Sequence, residues 1–237
     1  MMSSLRAWAA GAVETLDDPH TDSGTIVASL RDIARINRFF GGARAAVGRL
    51  DEFLARCARG STLTLLDVGT GVGDIPRAAA SRARRRGITL RLIGLERHPA
   101  AAREAARLGG LISIIADGGV LPMGPHSVDF VLCSKLLHHL PGAAGTRLLS
   151  EMDRVARRGV VVADIHRSAL AAAGIWLASF PLRFHPATRH DGVISVFRGF
   201  SPAELHGACA AAHVAATIRS HPGWCLTAAW RPAGAQA

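Results

Sequence analysis

A short glycine-rich segment follows the first strongly apolar run of the central part of the sequence. Residues 67–74 have the sequence DVGTGVGD. Glycines between a strand and a helix let the backbone turn tightly and approach a ligand closely, so this loop favours a nucleotide-like ligand. The dinucleotide fingerprint G-x-G-x-x-G needs glycine or alanine where this chain has Asp74, and no G-x-x-x-x-G-K-[ST] phosphate loop is present. The loop alone leaves two interpretations open, a cofactor site and a purely structural turn.

Two acidic residues stand at the ends of the next two predicted strands. Glu96 comes 23 residues after Gly73, where a carboxylate can accept hydrogen bonds from both hydroxyls of a ribose. Asp117 ends the third strand, where it can accept from an exocyclic amine, and Gly118 exposes backbone to the edge of a purine. Because the carboxyl ends of parallel strands share one edge of a sheet, these residues and the loop predict an adenosine site without phosphate contacts.

Taken together, these segments resemble the class I S-adenosylmethionine-dependent methyltransferases. The resemblance is carried by residues 65–74, 94–96, 116–118, 121–122 and 128–140, and it extends over about residues 60–165. It implies an enzyme that uses S-adenosyl-L-methionine as its cofactor. The flanks are similar to small natural-product and quinone methyltransferases, which implies O-methylation of a small aromatic or lipophilic hydroxyl compound, a phenol, quinol or polyketide, in secondary or quinone metabolism.

The same resemblance implies roles for individual residues. In that family the glycine loop lies against the methionine and ribose of the cofactor, the acid after the second strand holds the ribose, and the acid after the third strand holds the adenine. The implied cofactor-binding residues of this chain are Asp67, Gly69, Thr70, Gly71, Glu96, Arg97, Asp117, Gly118, Ser134 and Lys135.

A histidine pair, His138 and His139, follows the fourth predicted strand on the cofactor side of the sheet. Methyl transfer from a sulfonium is an in-line displacement, and an oxygen acceptor must also lose a proton. Histidine suits that task because its ordinary pKa is about 6.5. Either histidine could instead cap or pack the next helix. Asp164 and His166 leave the fifth strand at the same edge, where they could orient the base or touch the acceptor. The histidine spacing does not match a metal motif, so no metal is expected.

Several flanking residues are candidates for the acceptor site. They are Phe39 and Phe40 between two N-terminal helices, Trp176 and Phe180 after the fifth strand, and His185 and His190 in the segment that follows. We predict an N-terminal helical lid over residues 1–58 and a methyltransferase domain over residues 59–237, in which residues 168–198 form a substrate cap. Each aromatic residue could instead build core or a dimer seam.

The pattern that must position these residues alternates short apolar runs with helical stretches. The predicted strands are residues 63–68, 90–95, 111–116, 128–133, 159–164, 214–218 and 225–230. This pattern predicts an α/β fold: a Rossmann-like, doubly wound, mostly parallel seven-stranded sheet with an N-terminal helical extension and a cap insertion after the fifth strand. Continuous apolar strands of this kind are buried on both faces.

Helical spacing is visible on both sides of this central pattern. Apolar stripes predict helices around residues 26–36 and 47–54, and residues 168–180 are predicted as a helix. Residues 183–199 are polar and rich in His and Arg, and we predict a connector there. Residues 201–204, with the sequence SPAE, are a capping-box start for one more helix.

Composition narrows the class of protein. The chain has 237 residues, of which 49% are hydrophobic and 19% charged, enough for one core and too apolar for a disordered chain. The formal net charge of +10 would suit a nucleic-acid binder if the charges were clustered. Arg82, Arg84, Arg85 and Arg86 form one cluster, which we interpret as a solvated helix face; tyrosine is absent and aromatics make up 5%. We expect a small-molecule substrate and no nucleic acid. An RNA or protein methyltransferase and a non-catalytic cofactor-binding subunit remain alternatives.

The cysteines and the hydropathy of the sequence indicate where in the cell the protein is expected. The four cysteines are far apart and lack a C-x-x-C pair, which favours a reducing cytoplasm over a zinc site or a disulfide framework. The longest apolar run, residues 169–182, is shorter than the roughly 18 residues needed to cross a bilayer, so no membrane span is expected. The apolar run at residues 7–13 lacks a basic leader and predicts a helix. We expect a cytoplasmic monomer or homodimer.

Overall fold

A computed structural model describes residues 2–18 and 20–232 of the chain. Within these residues the sheet has seven strands: β1 (Thr62–Val68), β2 (Thr89–Glu96), β3 (Ile112–Ile115), β4 (Val128–Ser134), β5 (Ala156–Ile165), β6 (Thr217–His221) and β7 (Cys225–Trp230). Their order is β3-β2-β1-β4-β5-β7-β6. β1 to β5 are parallel, and β7 is antiparallel to both of its neighbours. The strand order reverses between β1 and β4, which is where open α/β sheets bind ligands. The predicted fold class is confirmed.

The α-helices of the described residues are α1 (Met2–Gly11), α2 (Ser23–Phe39), α3 (Gly42–Leu54), α4 (Asp74–Arg85), α5 (Pro99–Arg107), α6 (Ala143–Val155), α7 (Ala169–Ser179), α8 (Pro186–Arg198) and α9 (Pro202–Ala211). Short 3-10 turns occur at Thr15–Asp17 and Leu137–His139. In the part of the chain that the structure describes, every helix is too short or too polar to cross a membrane.

Successive residues of the central strands face opposite sides of the sheet, and both sides are covered. On β1, Leu65 packs with residues of α3 and α4, whereas Leu66 packs with residues of α6 and α9. Both leucines are fully buried. The alternation follows from the two-residue period of a strand, and it explains why these strands are continuously apolar.

The N-terminal helices do not form a single unit. α3 places Ala46, Leu50 and Leu54 in the same core as Phe130 of β4, so it belongs to the helical layer of the sheet. α1 instead packs with α7 and α8 in a separate small core that includes Ala9. The segment predicted as a lid, residues 1–58, is therefore divided between the sheet layer and the region around α7 and α8.

The predicted connector at residues 183–199 is wrong, because most of it forms α8. His185 caps this helix by accepting a hydrogen bond at Nδ1 from the backbone N–H of Ala187 (3.3 Å). Pro186 stands in the first turn, where its missing N–H costs nothing. Ile194 and Phe197 are buried against α7 and α1. The polar residues of the segment lie among these apolar ones and conceal the helical spacing in the sequence.

The predicted strand at residues 214–218 is displaced, since β6 covers Thr217–His221. Val214 is buried in the core beside α9, and its N–H donates to the carbonyl of Cys209 (3.1 Å). The strand begins only after this turn. β6 and β7 are joined by a tight turn in which Gly223 has φ +80°, and an added Cβ there would overlap the carbonyl oxygen of Phe40. This turn therefore lies directly against the junction of α2 and α3.

Candidate active site

A cavity of about 970 Å³ opens at the carboxyl ends of β1, β2, β4 and β5. One side is formed by the glycine loop and the strand ends. The other side is formed by residues of α2, α7 and α8 and by Trp224 of the turn between β6 and β7. The volume is in the range of pockets that enclose small molecules. The cavity therefore has a side built from the sheet edge and a side built from the flanking helices.

Asp67, the penultimate residue of β1, lines the cavity and has one unpartnered oxygen. Its Oδ2 accepts a hydrogen bond from the Thr70 hydroxyl (2.7 Å), whereas its buried Oδ1 has no partner among the described residues. Burial raises the pKa of Asp67 to about 8, and the nearby carboxylates of Asp74 and Glu96 add to the increase. A cationic donor at Oδ1 would favour the ionised form of this buried carboxyl group. Asp67 is thus suited to the ammonium group of a ligand.

The glycine loop is held against β2 in a conformation that favours glycine. Gly69 and Gly71 have φ values of +71° and +54°. The N–H groups of Gly69 and Thr70 both donate to the carbonyl of Leu95 (2.9 and 3.0 Å). A Cβ at Gly69 would stand 2.9 Å from the Leu136 side chain. The loop therefore exposes backbone to the cavity at positions where a larger residue would be strained.

Glu96 at the end of β2 is fixed by backbone donors. Its Oε2 accepts from the N–H of Gly71 (2.9 Å) and its Oε1 from the N–H of His98 (3.0 Å). Each carboxylate oxygen can accept a further hydrogen bond, so both remain able to bind a pair of hydroxyls. Asp117 follows β3, and its Oδ1 accepts from the N–H of Gly119 (2.6 Å). The two acids thus stand in the order that an adenosine moiety requires.

The remaining predicted cofactor residues lie on the same wall. Lys135 has a positive φ of +53°, and its N–H donates to the carbonyl of Ala163 (2.8 Å). The Ser134 hydroxyl is buried without a partner among the described residues. Arg97 forms an ion pair with Asp17 at 3.0 Å. The structure brings all ten predicted cofactor-binding residues to the cavity: Asp67, Gly69, Thr70, Gly71, Glu96, Arg97, Asp117, Gly118, Ser134 and Lys135.

His138 and Asp164 form a buried pair on the cavity wall. The distance from His138 Nδ1 to Asp164 Oδ1 is 2.7 Å, and the backbone N–H of His138 donates to Asp164 Oδ2 (3.2 Å). The N–H of Ile165 donates to the same carboxylate (2.7 Å). His138 Nε2 is buried and has no partner among the described residues. We assign the proton to Nδ1 from this network, which leaves Nε2 with a free lone pair.

The pKa of Asp164 reflects two opposed effects. Burial raises the pKa of this carboxyl, but the charge that His138 carries when protonated, its hydrogen bond and the N–H of Ile165 outweigh burial and lower the pKa below its usual value. Asp164 is therefore an anion that stabilises a protonated His138. A histidine with a carboxylate at Nδ1 and a free Nε2 is arranged to take a proton from a ligand.

His139 belongs to a second polar cluster beside the first. Its ring lies 4.2 Å from that of His138, centroid to centroid, and its Nδ1 is 3.1 Å from Asp17 Oδ2. Arg198 of α8 donates to Glu14 Oε1 (3.1 Å) and to Asp17 Oδ2 (3.3 Å). Burial raises the pKa of Glu14, against the lowering effects of His139, Ser195 and Arg198. Burial also raises the pKa of Asp17. The hydrogen bond and charge of His139 outweigh this effect and lower the pKa to about 2.

The acid and the two histidines at this point resemble a metal-ligand set. Glu14, His138 and His139 each offer one ligand atom, and these atoms lie within 4.8 Å of one another. However, Arg198 and the Ser195 hydroxyl (2.9 Å) already hydrogen-bond to the two oxygens of Glu14. A guanidinium therefore supplies the positive charge next to Glu14, and we interpret the cluster as a hydrogen-bonded one.

Some predicted residues lie away from the cavity. His166 begins the chain after β5, where its N–H donates to the carbonyl of Trp224 (2.9 Å), but it does not line the cavity. His185 caps α8, and the exposed His190 is 3.0 Å from Asp191. Neither of these two histidines lines the cavity. The structure thus separates these three histidines from the pair at 138 and 139.

The four predicted aromatic residues are also divided. Phe40 lines the cavity, whereas Phe39 is exposed at the end of α2. Trp176 and Phe180 pack edge to face, with ring centroids 5.0 Å apart, on the outer side of α7. The inner side of α7 contributes Ala171 and Ile175 to the cavity instead.

Sequence reasoning missed several residues of the cavity wall. They are Glu14, Asp17, Leu30, Asp191, Ser195, Val196 and Trp224. Leu30 has a sequence signal, since it belongs to the apolar stripe of α2 that includes Ile33 and Ile36, which also line the cavity. Glu14 and Asp17 follow an apolar helix like many surface acids, so their contacts with residues more than a hundred positions away had no local signal.

Comparison with known proteins gives the family. A model of the methyltransferase domain matches residues 66–163. An uncharacterized methyltransferase of Mycobacterium avium (strain 104) is 30% identical over 220 residues, which cover 79% of this chain and 79% of that protein.

Solved methyltransferase structures have the same fold. The plantazolicin methyltransferase BpumL, in complex with a monoazolic desmethylPZN analog and SAH, aligns with a TM-score of 0.67 at 12% identity and covers 98% of this chain and 97% of its own. Human N-acetylserotonin methyltransferase in complex with SAM has a TM-score of 0.66 at 12% identity, over 98% of this chain and 66% of its own. This chain belongs to the class I S-adenosylmethionine-dependent methyltransferases, and its cofactor is S-adenosylmethionine.

Proposed function

We propose that this methyltransferase methylates a hydroxyl oxygen of a small, mainly apolar molecule, an aromatic or lipophilic compound such as a phenol, quinol or polyketide of secondary or quinone metabolism. The observation that carries the proposal is the unpartnered Nε2 of His138, buried in the cavity wall and backed by Asp164. An oxygen acceptor needs a base at the point of transfer, and this is the group that can supply one.

The cofactor site fits the donors and acceptors of S-adenosylmethionine. Asp67 Oδ1 would accept from its ammonium group, Glu96 from the ribose hydroxyls and Asp117 from the adenine amine, because each is an acidic side chain on the cavity wall with free acceptor capacity. When bound, the cofactor supplies an electrophilic methyl group on a sulfonium. The chain supplies position and orientation through the rigid strand ends.

The acceptor side of the cavity is mostly apolar. Its apolar lining comes from Ile33, Ile36, Phe40, Ile165, Ile175, Val196 and Trp224. These side chains come from α2, α7, α8, the end of β5 and two turns, and they line the same cavity as the histidine pair. An apolar wall with a few polar groups at one place binds a compound by its hydrocarbon body and orients its polar end. The polar end then lies at His138.

Proton transfer follows from the geometry of the pair. His138 Nε2 accepts the proton of the acceptor hydroxyl as the oxygen attacks, and Asp164 stabilises the imidazolium through Nδ1–H. Asp164 stays ionised, because its pKa is lowered. Arg198 and the cluster of Glu14, Asp17 and His139 form the wall beside the base, and a cofactor and acceptor that fill the cavity would displace water from the reacting groups.

Substitution of His138 tests this role. His138→Ala should lower turnover on an oxygen acceptor by roughly 10² to 10⁴ while leaving cofactor affinity nearly unchanged. Turnover is measured with methyl-labelled cofactor on a panel of phenols and quinols, and cofactor affinity is measured by calorimetry. His166→Ala is the matched control, since His166 lies near Asp164 in the chain but outside the cavity. Equal turnover of the two variants at every pH would show that His138 is not the base.

The basic segment of α4 supports a small-molecule acceptor over RNA. Arg82 Nη2 and Arg86 Nε donate to the two oxygens of Asp51 at 2.7 and 2.5 Å, so these cations hold α4 to α3. This end of α4 is also remote from the glycine loop at its start. Turnover that falls steeply with added salt would favour a nucleic acid instead. The four cysteines are free thiols, which supports a cytoplasmic enzyme.

A further inference from the structure

The outer side of α7 carries large apolar residues that contribute nothing to the cavity. Leu170 is 73% exposed, Trp176 47% and Leu177 60%, and Phe180 directly after the helix is 47% exposed. We call these four residues the α7 surface. Single exposed apolar residues are common, but a contiguous group that contains two aromatic rings indicates a contact partner.

The α7 surface lies on the other side of the helix from the acceptor site. Ala171 and Ile175 of α7 line the cavity, whereas Trp176 and Leu177 point to solvent. One helix therefore separates the cavity from whatever covers its outer side.

Two arginines border the α7 surface. Arg189 lies over the Phe180 ring, with Cζ 4.0 Å from the ring centroid, and its Nε donates to the Ser179 hydroxyl (2.8 Å). Arg183 is exposed in the turn after Phe180, where its N–H donates to the Phe180 carbonyl (3.0 Å). Neither guanidinium takes part in any ion pair among the residues that the structure describes. Both are available to an anionic partner.

We propose that the α7 surface, together with Arg183 and Arg189, docks the protein on an anionic lipid bilayer. Tryptophan, phenylalanine and leucine enter the boundary between headgroups and acyl chains, and basic residues beside them bind the lipid phosphates. The net charge of +10 adds a general attraction to such a surface. The chain lies on the bilayer through one helix face and does not cross it.

The charges favour a lipid surface over a second copy of the chain. A symmetric dimer would bring the same surface of both copies together. Such a contact would bring the Arg183 and Arg189 side chains of the two copies to the same interface, and none of them has a carboxylate partner within its own chain among the described residues. An anionic bilayer offers both an apolar interior for the aromatic and leucine side chains and negative charge for the two arginines.

Docking through the α7 surface would also bring the acceptor site close to the bilayer. What this means for the acceptor rests on the proposed function. α7 is one wall of the acceptor side, so a bilayer on its outer surface lies one helix away from the cavity. A lipophilic acceptor dissolved in that bilayer would be concentrated within one helix of the site. The docking itself does not depend on which compound is methylated.

Vesicle co-sedimentation tests the proposal. The full chain should bind phosphatidylcholine vesicles that contain about 30% phosphatidylglycerol much more strongly than vesicles of phosphatidylcholine alone. Leu177→Ser and Trp176→Ser should each weaken binding by about fivefold or more, because each removes buried apolar area. Arg183→Gln and Arg189→Gln should each weaken it by about fivefold. Leu108→Ser, which changes another exposed leucine on the opposite flank of the sheet, should have no effect.

Two further measurements make the result decisive. Calorimetric affinity for S-adenosylhomocysteine is measured for each variant, and it should be unchanged, since no substituted residue lines the cavity. Equal vesicle binding by Leu177→Ser, Trp176→Ser and Leu108→Ser would overturn the proposal. So would light scattering that shows a dimer without lipid which Leu177→Ser dissociates. A failed O-methylation assay with intact vesicle binding would instead count against the proposed function.

Discussion

The cofactor side and the acceptor side of the cavity are built in different ways. The cofactor side consists of short segments directly after β1, β2, β3 and β4, and each carries its polar residue within a few positions of the strand end. The acceptor side is assembled from the segment before α2, from α2 itself, from α7 and α8, and from the turn after β6. The first side depends on the sheet, whereas the second depends on helices packed against one another.

This difference is also one of sequence distance. Asp67 and Thr70 bond within three positions, and the cofactor loop is closed by the neighbouring strand. Arg198 reaches Glu14 and Asp17 across more than 180 positions. Long-range contacts of this kind hold the acceptor side together, so a single substitution there should affect stability as well as turnover.

The largest expected effect is on this long-range cluster. Arg198→Ala leaves the buried Glu14 without its guanidinium and also removes hydrogen bonds to the carbonyls of Ala9 and Ala12. Loss of one partner of a buried ion pair should lower the free energy of unfolding by about 3 kcal/mol. Urea unfolding measures this value, with the exposed Arg84→Ala as control. Equal stability of the two variants would show that the cluster does not hold the acceptor side in place.

The second largest expected effect is on cofactor affinity, and it tests the cofactor side. Glu96→Ala removes the carboxylate proposed to bind the ribose hydroxyls and should weaken the binding of S-adenosylmethionine and its demethylated product by about 1.5 to 3 kcal/mol. Calorimetry gives both affinities. Glu52→Ala, which changes a carboxylate outside the cavity, should bind as the wild type does. Unchanged affinity in Glu96→Ala would show that another residue binds the ribose.

The sequence predicts the cofactor side because its chemistry lies within local motifs. Strand ends, glycines with positive φ and single acids recur at fixed places in an α/β fold, so the roles of Gly69, Glu96 and Asp117 could be predicted from the sequence alone. Which face of α7 and of α8 lines the cavity could not be predicted, because neither helix has a clear polar and apolar side in the sequence. Trp176 and Ile175 are neighbours in the chain, and only the packing of α7 on α8 decides which of them faces the cavity.

An effect that is smaller per pH unit than the two before links the cofactor side to pH. The pKa of Asp67 is about 8 in the folded protein, against an ordinary value of 3.8. Between about pH 4 and about pH 8 the folded protein therefore keeps a proton that the unfolded chain loses, and the free energy of unfolding falls as pH rises through this window. Asp67→Asn should remove up to about 1.4 kcal/mol of that change per pH unit. Urea unfolding across the window measures the slope, and identical slopes in both proteins would contradict the assigned pKa.

The smallest expected effect is the one that separates the two faces of α7. Ile175→Val removes one methylene group from the cavity wall and should raise the KM for an apolar acceptor by about fourfold, the value of one buried CH₂. Trp176→Ala removes a much larger side chain from the outer face and should leave that KM unchanged in solution without lipid, because Trp176 does not line the cavity. Steady-state kinetics of both variants with the same acceptor measures the difference. A larger KM increase in Trp176→Ala than in Ile175→Val would mean that α7 turns its aromatic face inward when the acceptor binds, since only such a rotation brings the indole into the site.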